Sequence, residues 1–132
     1  MYTLQNFLDW INLKFKIHNK INPPSFKEKE VWWCNLGQNI SCEENGKGVN
    51  FNRPVVVLKK FNKFLALVVP SSTKLKDNPF YILFRYNNSS FSAMISQIRV
   101  IYSKRLVSKI TTLDKDEFLN ISKAIIDYLP KN

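Results

Sequence analysis

The chain has 132 residues, is 45% hydrophobic and 14% aromatic, and carries a formal charge of +10. That length and apolar content describe one domain able to bury a core without disulfide or metal staples, and they exclude a disordered chain. No apolar run approaches the roughly 20 residues that a membrane-spanning helix needs, and the cationic excess points to an acidic partner, either nucleic acid or an acidic protein.

Residues 3–19 carry Leu4, Phe7, Leu8, Ile11 and Phe15 at helical spacing behind Thr3 as N-cap, which predicts an amphipathic helix docked on the core or on a second copy. Asp9, Asn12 and Lys14 interrupt its apolar face, so no secretory leader is expected and the cytoplasm is the expected location. Pro23-Pro24 ends the helix, dividing the chain into a helix and linker over 1–26 and a main domain over 27–132. His18, the single histidine, reads as a surface or capping residue.

Glu28 to Leu36 has the aromatic and β-branched content of a buried strand, and both Trp32 and Trp33 are expected in the core. A long polar loop follows from Gln38 to Asn52. Arg53–Lys60 and Lys63–Val69 then predict a hairpin turning at Phe61 to Lys63, which brings Arg53 and Ser72, just past the second strand, to one edge of the sheet. A second polar loop spans Pro70–Pro79. Phe80–Tyr86 and Phe91–Tyr102 are further strands joined by Asn87-Asn88-Ser89-Ser90, the latter long enough to be bent, and Arg105–Ile110 makes a last short one.

Asp114 and Glu117 form a capping-box pattern, with Leu113 and Phe118 placed as a hydrophobic staple. They start a helix over 114–129 whose stripe is Phe118, Ile121, Ile125, Ile126 and Leu129, ended by Pro130. The fold class is therefore mainly β with flanking helices, a small bent sheet or barrel too narrow to hold a ligand inside. Cys34 and Cys42 lack the spacing of a metal or redox pair and are expected as free thiols in a reducing compartment.

The carboxylates are scattered, one histidine cannot form an acid–base pair with another, and no phosphate-loop fingerprint is present. No metal site and no cofactor are expected. What remains is arginine, hydroxyl and carboxylate chemistry. It suits RNA cleavage, where the nucleophile is the substrate's own 2′-hydroxyl and the protein removes a proton and stabilises charge on the phosphorane.

The segments Ser-Cys-Glu-Glu-Asn-Gly at 41–46, Arg53-Pro54-Val-Val-Val, Val69-Pro70-Ser71-Ser72-Thr73, Ile95-Ser96-Gln97-Ile98-Arg99 and Lys104-Arg105-Leu106, preceded by Glu30-Val31-Trp32-Trp33, follow one another in a telling order. From about Lys27 to the C-terminal helix this chain resembles the MazF/PemK family of toxin endoribonucleases. The N-terminal helix lies outside the common core and resembles an extension found in one branch of the family. The resemblance implies an SH3-like small β-barrel that dimerises, with the dimer interface building an RNA groove. It also implies metal-independent cleavage of single-stranded RNA to 2′,3′-cyclic phosphate and 5′-hydroxyl ends.

The partner so implied is an antitoxin with an acidic, disordered tail, operator DNA being reached only through the antitoxin complex. Carried over residue by residue, the catalytic set is Arg53, Ser72 (usually Thr in the family) and the loop carboxylate Glu43, with Glu44 able to slide into its register. Glu44, Lys47, Asn52, Ser71, Thr73, Lys74, Lys76 and Gln97 are the expected RNA contacts, while Arg99 is either a contact or structural. The competing readings are a gyrase-binding toxin like the CcdB branch, a non-catalytic nucleic-acid-binding barrel, and a degenerate toxin.

Overall fold

A computed structural model describes residues 3–39, 43–48 and 50–130. Ser41 and Cys42 lie outside them. Helix α1 (Leu4–His18) leads into strands β1 (Glu30–Asn35), β2 (Asn52–Lys60), β3 (Leu65–Ser72), β4 (Tyr81–Tyr86), β5 (Ser89–Met94), β6 (Arg99–Tyr102) and β7 (Leu106–Thr112), and α2 (Lys115–Tyr128) closes the described chain. The sheet is antiparallel, mainly β with flanking helices as expected. Its hydrogen-bonded path β4-β5-β3-β2-β1-β7, with β6 on β3, stays open rather than closing into a ring. Among the described residues no helix is long and apolar enough to cross a membrane.

The strands alternate between two cores, as a two-residue side-chain period requires. Trp32, Cys34, Val55, Val57 and Val68 join Phe26, Leu36 and Leu106 in one. Val31, Val56 and Val69 join Phe84, Ala93, Leu113 and Ile121 in the other, which α2 covers. Each such fully buried side chain contributes roughly 1.5–3 kcal/mol, so these two clusters dominate the fold's stability.

The predicted β2–β3 hairpin is present. Val55 pairs with Pro70 and Val57 with Val68, and the Asn62 side chain accepts from the Phe64 and Leu65 amides across the turn. β3 runs further than expected, through Pro70 to Ser72, because it changes partners. Leu65–Val68 pair with β6 and Ser71–Ser72 with β5, and Pro70 falls in the gap, where a missing N–H costs no bond to either strand. Asn87 and Asn88 both have positive φ and make a two-residue turn, a conformation Asn tolerates, so Ser89 and Ser90 belong to β5. The long strand expected over 91–102 is broken by a single 3-10 turn at Ile95–Gln97.

Both helices depart from their predicted faces. In α1 the Thr3 cap forms, reciprocated by Asn6, yet the stripe Leu4, Phe7, Leu8, Ile11 and Phe15 faces solvent. Trp10 and Ile17 are buried instead, with Leu13 and Phe51 beside them. In α2 Asp114 takes the cap position without a side-chain hydrogen bond, so the capping box does not close. Leu113 and Phe118 do share the second core, and Asp116 and Glu117 complement the positive helix end. Ile121 packs fully and Ile125 partly, whereas Ile126 and Leu129 are exposed.

Glu30, the first residue of β1, is buried. Burial favours its neutral form, but hydrogen bonds from the Trp32 indole and the Lys27 amide and the ammonium of Lys109 outweigh this and hold its carboxyl below the usual range. Cys34 has no such support. Burial pushes its thiol up to about 12, against the opposing charges of Arg105 and Arg99. Cys34 is therefore expected to resist alkylation by iodoacetamide at pH 8 in the native protein and to react at the rate of an unhindered thiol in denaturant, as peptide mass mapping would register.

Candidate active site

Arg53 is the second residue of β2, and its side chain is almost fully buried at the sheet edge. The neighbouring chain uses its fork in three directions. Nε donates to the Asn45 carbonyl at 2.8 Å, Nη1 to the Ser71 carbonyl at 3.1 Å, and Nη2 faces Glu44 Oε1 at 2.6 Å. A guanidinium has five N–H groups, so among the described residues these contacts leave two of them for a further acceptor.

Ser71 ties the hairpin edges together by donating Oγ to the Pro54 carbonyl at 3.0 Å. Ser72, the last residue of β3 rather than a residue beyond it, is buried, and its Oγ accepts from the Lys74 amide at 3.1 Å. That contact occupies an acceptor position and leaves the hydroxyl proton available to a ligand oxygen.

These residues open onto a cleft of about 660 Å³ lined by Trp33, Lys47, Asn52, Arg53, Pro54, Ser71, Ser72, Thr73, Tyr86, Phe91 and Val107 among others. The lining combines cationic and hydroxyl-bearing side chains with aromatic and apolar ones. Tyr86 and Phe91 stack at 4.6 Å, and burial pushes the Tyr86 phenol up. Trp33, expected in the core, instead stands 41% exposed in this cleft. Trp32 alone of the pair is buried. The alternation that buries Trp32 turns Trp33 outward past the end of the second core.

The predicted residues thus sort into groups. Arg53, Ser72, Lys47, Asn52, Ser71 and Thr73 come together in the cleft. Asn52 also accepts a hydrogen bond from the Asn35 side chain. Glu44, rather than Glu43, makes the contact with Arg53. Glu43 lies with Asn39, Glu44, Gln97 and Arg99 on a smaller polar cleft of about 390 Å³, where Gln97 Oε1 accepts from the Glu44 amide at 3.2 Å and so steadies that loop from behind. Lys74 and Lys76 are exposed outside the cleft lining, the Lys76 ammonium lying 5.2 Å from the Tyr81 ring.

Trp33, Tyr86, Phe91 and the Asn45 carbonyl are the site features that the sequence reading missed. Only Trp33 had a usable signal, its position next to a buried Trp in a strand.

A bent antiparallel sheet with a buried arginine and a serine at the mouth of one aromatic cleft is the arrangement of a small binding or catalytic domain working at its sheet edge. A family model for PemK-like, MazF-like toxins of type II toxin–antitoxin systems matches residues 27–129, and the chain belongs to that family. No curated protein sequence matches it.

Solved structures share the fold at low identity. MazF from Deinococcus radiodurans superposes with a TM-score of 0.65 at 18% identity, over 80% of this chain and 94% of that one. An endoribonuclease in complex with its cognate antitoxin from Mycobacterial species gives 0.62 at 12% identity, over 82% and 100%. A MazE–MazF complex from D. radiodurans gives 0.61 at 14%, over 79% and 95%.

Proposed function

We propose that this toxin is a metal-independent endoribonuclease that cuts single-stranded RNA at the Arg53–Ser72 cleft. The observation that carries the reading is the pairing of a buried arginine, braced by two carbonyls and Glu44, with a donor-ready serine on the same cleft.

In the proposed reaction the 2′-hydroxyl attacks the adjacent phosphorus and its proton passes to a carboxylate of the loop. The bond from phosphorus to the 5′-oxygen breaks as that oxygen takes a proton from solvent water, giving a 2′,3′-cyclic phosphate and a 5′-hydroxyl. Arg53 and the Ser72 hydroxyl meet the charge that builds on the nonbridging oxygens, where such donors act most strongly. Glu43 and Glu44 both line the adjoining polar cleft, and of the two we assign the proton to Glu44, which pairs with Arg53. Lys47, Asn52 and Thr73 are assigned to the RNA backbone at the rim.

The net charge of +10 suits both the RNA and an acidic antitoxin tail competing for the same cleft. The antitoxin complexes of the structural neighbours support such a partner, and a homodimer is proposed with it. The test is incubation of the purified protein with a long single-stranded RNA in EDTA, with mapping of the cut sites and the end groups. Discrete cuts bearing cyclic phosphate support the reading. Intact RNA beside folded protein would overturn it and favour a gyrase-type or purely nucleic-acid-binding toxin.

A further inference from the structure

We infer that α1, which lies outside the segment shared with the family, is an internal brace for the loop that clamps Arg53, and that Trp10 is its positioning residue. The inference deepens the cleavage reading and rests on it for the kinetic consequence alone.

Arg53 Nε is held by the carbonyl of Asn45, so its aim depends on where residues 45–48 and 50–52 sit. That segment is fixed at two places. The Gly46 amide donates to the Gly37 carbonyl at 2.9 Å, and the Phe51 carbonyl accepts from the Leu36 and Gly37 amides at 3.0 and 3.2 Å. Between them the chain closes on itself, Lys47 and Asn52 exchanging backbone bonds and Phe51 donating to Gly48.

Trp10 covers both places. Its indole fills the space that a side chain at Gly37 would need, and Gly37 is also in the left-handed region at φ +82°. The same indole packs on the Phe51 ring with centroids 5.6 Å apart. Phe51 has a φ of 50°, a region in which a bulky side chain is held only when its surroundings over-determine it. Arg105 secures the other side, its guanidinium 5.6 Å from the indole centroid while Nη1 donates to the Asn35 carbonyl at 3.1 Å. At the end of the helix Lys104 donates to the His18 carbonyl at 3.0 Å and Lys20 to the Lys104 carbonyl at 3.2 Å, which fixes its C-terminal end.

The family core thus acquires, through Trp10, a contact that reaches Arg53 by way of Phe51 and Asn45. Loosening it lets the Asn45 carbonyl drift and spoils the aim of the guanidinium, and small displacements of catalytic groups act on the chemical step far more than on binding. Of the rim contacts, Thr73 beside β3 is untouched, whereas Lys47 and Asn52 lie in the braced segment and loosen with it.

The experiment compares full-length wild type, Trp10→Ala and Trp10→Phe by hydrogen exchange and by single-turnover RNA cleavage. In Trp10→Ala the amides of Gly46, Lys47, Phe51 and Asn52 are expected to exchange about tenfold faster or more while those of Val55 to Val57 keep their protection. The saturating cleavage rate is expected to fall by about tenfold or more, and by a larger factor than half-saturating RNA rises, because the loosened segment carries Lys47 and Asn52 as well as the Asn45 carbonyl. Trp10→Phe, which keeps a ring on Phe51, should recover most of both.

Unchanged exchange at those four amides in a folded Trp10→Ala protein would overturn the brace. If Trp10→Ala does not fold, Trp10→Leu, which keeps apolar bulk and loses the ring plane, decides in the same way. If wild type cuts no RNA, the cleavage reading fails on its own account, and the exchange data still settle the brace.

Discussion

Replacing Arg53 by alanine is expected to lower the rate of RNA cleavage by about a hundredfold to a thousandfold, the usual cost of removing one preorganised donor from a developing charge. The substitution does more than delete a charge. It releases the Asn45 and Ser71 carbonyls, which the side chain ties together across the mouth of the hairpin, and strands Glu44 without its cation.

Each lost hydrogen bond is worth about 0.5–1.5 kcal/mol net, so thermal unfolding should shift measurably along with the rate. Arg53→Lys separates the two effects. An ammonium keeps the charge near Glu44 but cannot reach both carbonyls with a planar fork, so this variant should bind RNA like wild type and recover only a minor part of the rate. RNA affinity, measured by anisotropy in both variants, is expected to change by less than about tenfold, because Lys47 and the hydroxyls of the rim remain and backbone contacts supply most of the binding. Wild-type cleavage by a folded Arg53→Ala protein would remove Arg53 from the chemistry and leave it as a structural clamp.

The parts of this molecule that were legible in the sequence are those decided by neighbouring residues. The β2–β3 hairpin and its edge, with Arg53 opposite the end of β3, follow from two apolar runs of matched length around a polar turn, and the cores follow from strict alternation. The start of α2 was visible too, although the interaction that marks it is the Leu113–Phe118 staple and the acidic first turn rather than a closed capping box.

What could not be read depends on distant partners. α1 carries two apolar stripes on different faces, and the narrower one docks because Trp10 finds Phe51, Gly37 and Arg105, residues 27 to 95 positions away. Glu43 and Glu44 are adjacent in a loop without periodicity, so the choice of which meets Arg53 is made by the loop's anchors at Gly37 and Gln97. Trp33 looks like its buried neighbour in composition and differs only in lying beyond the end of the core that its face serves.

The same loop anchors set up the second large effect. Gly46→Ala is expected to abolish most cleavage activity although residue 46 touches no substrate in the proposed reaction. A Cβ at this position would overlap the Phe51 carbonyl and its peptide, which are backbone atoms and cannot swing aside as a side chain tip could. The Phe51 carbonyl is also the acceptor for the Leu36 and Gly37 amides, so moving it breaks the anchor on β1 as well.

Either the segment from Glu43 to Gly48 shifts outward, taking the Asn45 carbonyl and Glu44 away from Arg53, or the β1 anchor opens. Overpacking of this kind typically costs about 1–3 kcal/mol in stability. The accompanying loss in cleavage rate should be about tenfold to a hundredfold or more, since the guanidinium loses two of its three fixed contacts.

Gly48→Ala supplies the contrast. Gly48 has a φ of +75°, so alanine there pays a conformational penalty of about 1 kcal/mol, yet its Cβ would enter open space. Gly48→Ala should therefore lose comparable stability while, at the wall of the cleft and away from the Arg53 contacts, losing much less cleavage than Gly46→Ala. Thermal unfolding and single-turnover rates on the pair distinguish a loop that must sit at one place from a loop that need only be folded. Equal losses of rate in both variants would point to general loosening, whereas loss confined to Gly46→Ala ties the rate to the Asn45 and Glu44 contacts on Arg53.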